Sequence, residues 1–271
     1  MSTLVLLTLT GLGLGAMYFL VASGLSLIYG LMGVLNFAHG AFLTVGAYAA
    51  WWVEGRLGGI DSSLSRFLVA ALAGLAAGGV FAVAVELVLI RPLYKRHIEQ
   101  VLVTVGLALA VTALVQAIWG ADQRTLAAPP WTRRTTDVLG AAIPNDRFVE
   151  IAAALAVLFG LQAFLRRTRY GLIIRAGVEN RAMVTALGID VRRAFTLVFA
   201  IGGVVAALAG VLSGVYFGSI EGSAASAVVV GLVQQYANYY WSSGLGDISV
   251  VLLLALVLLA RPAGLAGRAA A

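Results

Sequence analysis

Few side chains in this sequence could do chemistry, and those that could tend to interrupt long apolar runs. In Asn36-Phe37-Ala38-His39-Gly40 an amide and an imidazole fall inside a mostly apolar stretch from Leu4 to Trp52, with Gly30 and Gly33 just upstream. A polar group without a partner in hydrocarbon costs on the order of several kcal/mol. A helix is therefore expected to break here, with its polar groups turned toward protein or a water-filled path, as at many transporter substrate sites. A plain interfacial loop joining two spans is the other reading of the same residues. Glu86 falls near the end of another apolar run, about one turn before Arg91. It reads either as a pathway carboxylate or, as the reading preferred here, as a charge paired locally or snorkelling to the interface.

The familiar catalytic sets are missing. Without cysteine, disulfide and thiolate chemistry is excluded. His39 and His97 are the only histidines and lie far apart, which argues against a metal site. No Gly-x-x-x-x-Gly-Lys-Ser/Thr phosphate loop occurs. Gly11-Leu12-Gly13-Leu14-Gly15 looks faintly like a dinucleotide fingerprint, but it lies in an apolar run with no strand before it. An intramembrane enzyme or proton pump needs ionisable groups inside its spans, and few fall there.

The segment 166–193 is the most charged, with seven arginines against Glu179 and Asp190. From Ala182 to Leu187 it is rich in Ala, Met, Val and Leu, which predicts a short helix ended by Gly188. A loop that only sets topology has no need of such a helix. An exposed helix with an apolar face and basic flanks fits a docking element for a soluble partner.

The elements that must position these residues are membrane spans. The chain of 271 residues is 61% hydrophobic and 11% charged, with a mean hydropathy of +0.99. Soluble domains carry about 25% charged residues, and several runs reach the ~20 apolar residues that cross a bilayer. The predicted fold is all-α: one transmembrane bundle over residues 1–271 with about eight membrane segments and one short cytoplasmic coupling helix. The runs are Leu4–Leu35, a continuation to Trp52, Phe67–Ile90, Val101–Trp119, Phe148–Leu165, Phe195–Phe217, Ala224–Tyr240 and Ile248–Ala260. The first 30 residues lack a basic start and a cleavage site, so they read as a mature span.

The net charge of +6 does not point to nucleic acid, because the basic residues sit in short loops between apolar runs. Loops around 91–97 and 166–193 have a basic excess and are assigned to the cytoplasm. The balanced loops at 54–66 and 120–147, the latter with Pro129, Pro130 and Pro144, are assigned to the periplasm. The last three runs create a parity conflict: three full crossings after residue 193 would place Arg261 and Arg268 outside. Gly- and Ala-rich stretches such as Ala70–Gly79 suit close helix packing.

Two segments resemble a known family. Residues 11–48, GLGLGAMYFLVASGLSLIYGLMGVLNFAHGAFLTVGAY, look like the start of the membrane subunits of branched-chain amino acid ABC importers, the Liv-type permeases. Residues 171–212, GLIIRAGVENRAMVTALGIDVRRAFTLVFAIGGVVAALAGVL, resemble their cytoplasmic coupling loop and next span. The likeness continues through VELVLIRPLYKR (85–96) and LLLALVLLARPAGLAG (252–267). It implies a multi-pass inner-membrane protein working with a second homologous permease subunit, two ATP-binding cassette ATPase subunits and a periplasmic substrate-binding protein. The ATPases would bind ATP, so the permease would need no cofactor, no metal and no catalytic residue. The resemblance makes Arg175, Glu179, Asn180, Ala182, Ala186, Gly188 and Asp190 coupling positions. It makes Asn36, Phe37, His39, Gly40 and Thr44 candidates for the substrate path. One departure stands out. After Tyr216-Phe217-Gly218 the family has a further glycine-rich apolar segment, whereas this chain passes into SIEGSAASAVVVGLVQQY (219–236), at the same place as the parity conflict.

The resemblance implies alternating access, with ATP-driven closure of the ATPases moving the 166–193 loop. Leucine, isoleucine and valine are the expected cargo. Urea, short amides and other amino acids fit the same fold, because a separate binding protein makes most of the choice. A stand-alone channel or carrier would explain the spans but not the helix near residue 185.

Overall fold

The computed structural model describes residues 2–220 except 35, 60, 95, 121, 123, 180 and 219, with Arg181 and Ala182 described by backbone alone. The runs expected at Ala224–Tyr240 and Ile248–Ala260, the basic tail, and nearly all of the segment following Gly218 lie outside the described residues. Among those described, the helices are α1 (Ser2–Met32), α2 (His39–Glu54), α3 (Ser63–Val85), α4 (His97–Trp119), α5 (Asn145–Arg167), α6 (Arg169–Glu179), α7 (Arg181–Ala186) and α8 (Val191–Phe217).

Helix ends follow local chemistry. The Ser62 hydroxyl accepts from Ser65 N at 3.4 Å to start α3, and the Asp190 carboxylate accepts from Arg192 N at 3.0 Å to start α8. Gly218, at φ +69°, ends α8 in the left-handed conformation glycine adopts without strain. Below α3 the chain does not stop at once. It runs through a π-helical segment, Glu86–Ile90, and a 3-10 turn, Arg91–Leu93, that contains Pro92.

Among the described residues, five helices are long and apolar enough to cross a bilayer: α1, α3 with its extension, α4, α5 and α8. The chain goes back and forth between two ends. Gly140 lies close to Ser2 at one end, where the 54–66 and 120–147 loops also sit. At the other end, Tyr94 packs with Val184, Val191 and Phe195. The two basic loops thus share one end of the bundle, as the charge pattern requires, and the balanced loops share the other. We call these the basic and balanced ends.

The core forms where α8 packs against α1, α2 and α3. Phe42 of α2 is fully buried, with ring centroids 5.3 Å from Phe81 and 5.9 Å from Phe199. Small residues set the helix spacing. A Cβ on Gly74 would lie 2.5 Å from Gly46 O, and one on Gly203 would overlap Ala82. Only glycine lets α3 approach its neighbours this closely. By contrast α4 and α5 leave Leu102, Leu109, Leu114 and Phe159 exposed, as suits side chains facing lipid or another membrane subunit.

Two elements add to the expected bundle. The 120–147 loop contains an antiparallel hairpin, β1 (Thr135–Val138) and β2 (Ala141–Pro144), turned by Leu139 and Gly140 at φ 51° and 79°. The 166–193 segment holds two helices instead of one, because α6 buries Gly171, Ile174 and Gly177 on a single face.

Candidate functional site

The Asn36–Gly40 motif lies where the chain passes from α1 to α2, and α2 starts beside the middle of α1 rather than at its end. α1 stops at Met32, and Gly33 follows at φ 67°. α2 begins at His39, yet the His39 ring Nε2 is 2.9 Å from the carbonyl of Val21, in the middle of α1. From Val21 to Met32 is about 16 Å of helix at 1.5 Å per residue. Six residues can span about 20 Å when extended, enough for the connection to return from the basic end to mid-bundle before α2 starts. Non-helical backbone is tolerated at membrane depth only where protein or a water-filled cavity satisfies it.

The polar groups of the break are partly satisfied. Asn36 Oδ1 accepts from Ala38 N at 3.1 Å, and Thr104 Oγ1 on α4 accepts from Phe37 N at 3.3 Å. Val21 O can only accept, so the His39 Nε2 facing it carries a proton, and in the neutral ring Nδ1 is then an acceptor. His39 Nδ1 and Asn36 Nδ2 are buried without a hydrogen-bond partner among the described residues. A free acceptor and a free donor three residues apart can receive a polar group or water. Phe37 is 56% exposed and Gly40 half-buried. Thr44 is half-buried one turn further on, but its hydroxyl donates back to Gly40 O at 3.0 Å, so it offers the path less than its residue type suggests.

At the basic end α6 and α7 present an exposed surface. Met183 is 62% and Leu187 69% exposed. Gly188, at φ 77°, closes α7, its N–H donating to Thr185 O at 3.0 Å. Arg175, Glu179 and Ala186 are exposed, and Arg175 Nε donates to Gly171 O at 3.4 Å. Asp190 both caps α8 and pairs with Arg193 at 3.1 Å. Asn180 lies outside the described residues, as does the side chain of Ala182. A groove of about 1050 Å³ separates this surface from the Arg91–Arg96 turn, lined by Arg91, Arg96, Thr185, Ile189 and Asp190.

Glu86 is fully buried rather than snorkelling, and its partners Arg91 and Tyr94 line that groove. Oε1 accepts from Tyr94 Oη at 2.6 Å and Arg91 Nε at 3.3 Å, and Oε2 accepts from Thr196 Oγ1 at 3.0 Å. Arg91 Nη2 also donates to Thr196 at 2.7 Å. The carboxylate is therefore paired locally, as its spacing to Arg91 suggests. The link to Thr196 is a tertiary contact that ties the foot of α3 to the start of α8. Sequence spacing also misses two ion-pair clusters at the balanced end. Glu54 pairs with Arg66 at 2.8 Å, and Arg147 lies between Asp146 and Glu150. Their signal was an acidic residue with a basic one close to a helix end, but which face each occupies is set by packing.

Five helices among the described residues, each long and apolar enough to cross a bilayer, define a multi-pass membrane protein. The chain belongs to the family described as the permease component of branched-chain amino acid transport systems, which matches residues 7–233. It is 27% identical to the high-affinity branched-chain amino acid transport system permease protein LivH of Salmonella typhimurium, covering 95% of this chain and 94% of that one. The BraD permease protein of Pseudomonas aeruginosa is 27% identical over the same shares. A probable branched-chain amino acid transport permease protein of Methanocaldococcus jannaschii is 25% identical over 92% of this chain and 88% of its own. The alignment with the Salmonella protein spans 290 residues, more than the 271 of this chain, so that relative carries residues this chain lacks. No solved structure matches.

Proposed function

We propose that this chain is the membrane-spanning subunit of an ABC importer that carries branched-chain amino acids across the bacterial inner membrane. Family membership across residues 7–233 carries the reading, and the relatives' names supply the substrate class. Leucine, isoleucine and valine pass along a path that includes the break at Asn36–Gly40. A second homologous permease subunit completes the path, and a periplasmic binding protein delivers the substrate. Two ATPase subunits bind and hydrolyse ATP, and they dock on α6 and α7.

In this mechanism energy enters at the basic end. ATP-driven closure of the ATPases pushes α6 and α7. Asp190 fixes the start of α8, and the Glu86–Thr196 link passes the displacement to the foot of α3. Both helices pack on α2, whose broken start then opens toward one side or the other. No group on this chain makes or breaks a covalent bond.

The test is uptake by the reconstituted assembly. Proteoliposomes with all subunits and the binding protein are expected to accumulate radiolabelled leucine with ATP and not without it. Uptake of urea or acetamide in place of aliphatic amino acids would overturn the substrate. Uptake by this chain alone, driven by a gradient, would favour a carrier.

A further inference from the structure

At the balanced end, under the Pro130–Arg133 turn, α3, α5 and α8 leave a pocket of about 120 Å³. That is roughly the liquid volume of four waters. Its walls are mostly apolar and aromatic, including Leu64, Phe67, Leu68, Trp131 and Leu212, with Thr132 and Asp146 in the polar part of the lining. Glu150, from the second turn of α5, also lines it. The residue is 2% exposed, and neither of its carboxylate oxygens has a hydrogen-bond partner among the described residues.

The nearest cation compensates it only in part. Arg147 Nη1 is 3.7 Å from Glu150 Oε2, beyond hydrogen-bond distance, and 3.4 Å from Asp146 Oδ2. The guanidinium stacks over the Tyr216 ring at 3.6 Å. One guanidinium therefore serves two carboxyl groups, and with both ionised the cluster would carry a net charge of −1. A carboxyl buried this way is held either by a proton or by a second cation that enters the pocket. A metal ion needs several oxygen ligands, and no group of three acidic or histidine side chains occurs among the described residues. An alkylammonium needs one carboxylate at its head and apolar walls along its body, which is what the pocket offers.

We propose that the pocket beside Glu150 binds aliphatic ammonium ions, and that in the importer it takes the α-ammonium end of the amino acid on its way in. The second half of this statement rests on the proposed function; the first does not. Lying at the balanced end, the pocket serves as a loading subsite ahead of the Asn36–Gly40 motif.

The decisive experiment uses the purified complete importer and two probes that each keep half of leucine's polar head. Isoamylamine has the ammonium without the carboxylate, and 4-methylpentanoate the reverse. In calorimetric titration the amine is expected to bind wild type and the acid is not. Glu150→Gln is expected to weaken amine binding at least tenfold and to lower leucine uptake. Leu68→Trp, which fills the pocket without changing its charge, is expected to do the same, and it decides the matter if Glu150→Gln fails to assemble. Unchanged amine binding in both variants, or equal binding of amine and acid, overturns the proposal. If the amine binds as described while wild type takes up no aliphatic amino acid, the site stands and the proposed function falls.

Discussion

His39 shows how one hydrogen bond can fix a functional group. The Val21 carbonyl holds Nε2–H at 2.9 Å, which leaves Nδ1 free beside the free amide nitrogen of Asn36. His39→Phe keeps a ring in the site but removes both nitrogens. A hydrogen bond worth about 1–1.5 kcal/mol corresponds to roughly tenfold in affinity. His39→Phe is expected to lower leucine uptake by at least that factor in transport assays. Glu86 is a different case, because its partners are all internal. Glu86→Leu leaves Tyr94, Arg91 and Thr196 to find new partners, and Arg91 can turn partly to water. A loss of about 1–3 kcal/mol is expected. It would be seen as a lowered unfolding temperature in detergent, with Glu86→Gln losing less.

At the scale of elements, the short helix α7 and its stop decide where force can enter. Gly188 adopts φ 77° and has open space where a Cβ would point, so a side chain there is opposed by backbone strain alone. Gly188→Ala is expected to cost about 1 kcal/mol and to leave ATPase copurification largely intact. Gly188→Arg adds bulk on the exposed face beside Leu187 and is expected to abolish both copurification and uptake. Full retention of the ATPases by Gly188→Arg would move the docking surface away from α7. In the hairpin, Leu139 sits at φ 51° in a turn that favours Asn or Gly. Leu139→Asn is expected to stabilise the protein by up to about 1 kcal/mol in thermal unfolding.

For the whole molecule, the arrangement of ends is the strongest constraint. Arg91–Arg96 and α7 are neighbours at one end, and the hairpin meets the start of α1 at the other. Because the native chain has no cysteine, single cysteines give a clean test of sidedness. Cysteine at Ala186 is expected to react with an impermeant maleimide only in inside-out vesicles, and at Leu139 only in intact spheroplasts. The reverse labelling would put α7 outside the cell and remove the basis for ATPase docking.

Much of this was legible in the residues themselves. Runs of apolar side chains must span a membrane, because no water-facing fold could cover them, and basic loops must gather at one end. Asn36 and His39 could not stay in an unbroken apolar helix, and the Ala182–Leu187 composition with Gly188 predicts a short helix that stops there. The family follows from the motifs around residues 11–48 and 171–212. Other features needed three dimensions. Charged residues made Arg169–Glu179 look like loop, and only packing of Gly171, Ile174 and Gly177 reveals α6. The depth of the break depends on which turn of α1 faces His39, and the link from Glu86 to Thr196 joins residues 110 positions apart. Sequence determines what each segment must avoid, since burial and charge act locally along the chain. The tertiary structure decides which groups are left facing each other, because that depends on how helices rotate and slide against their neighbours.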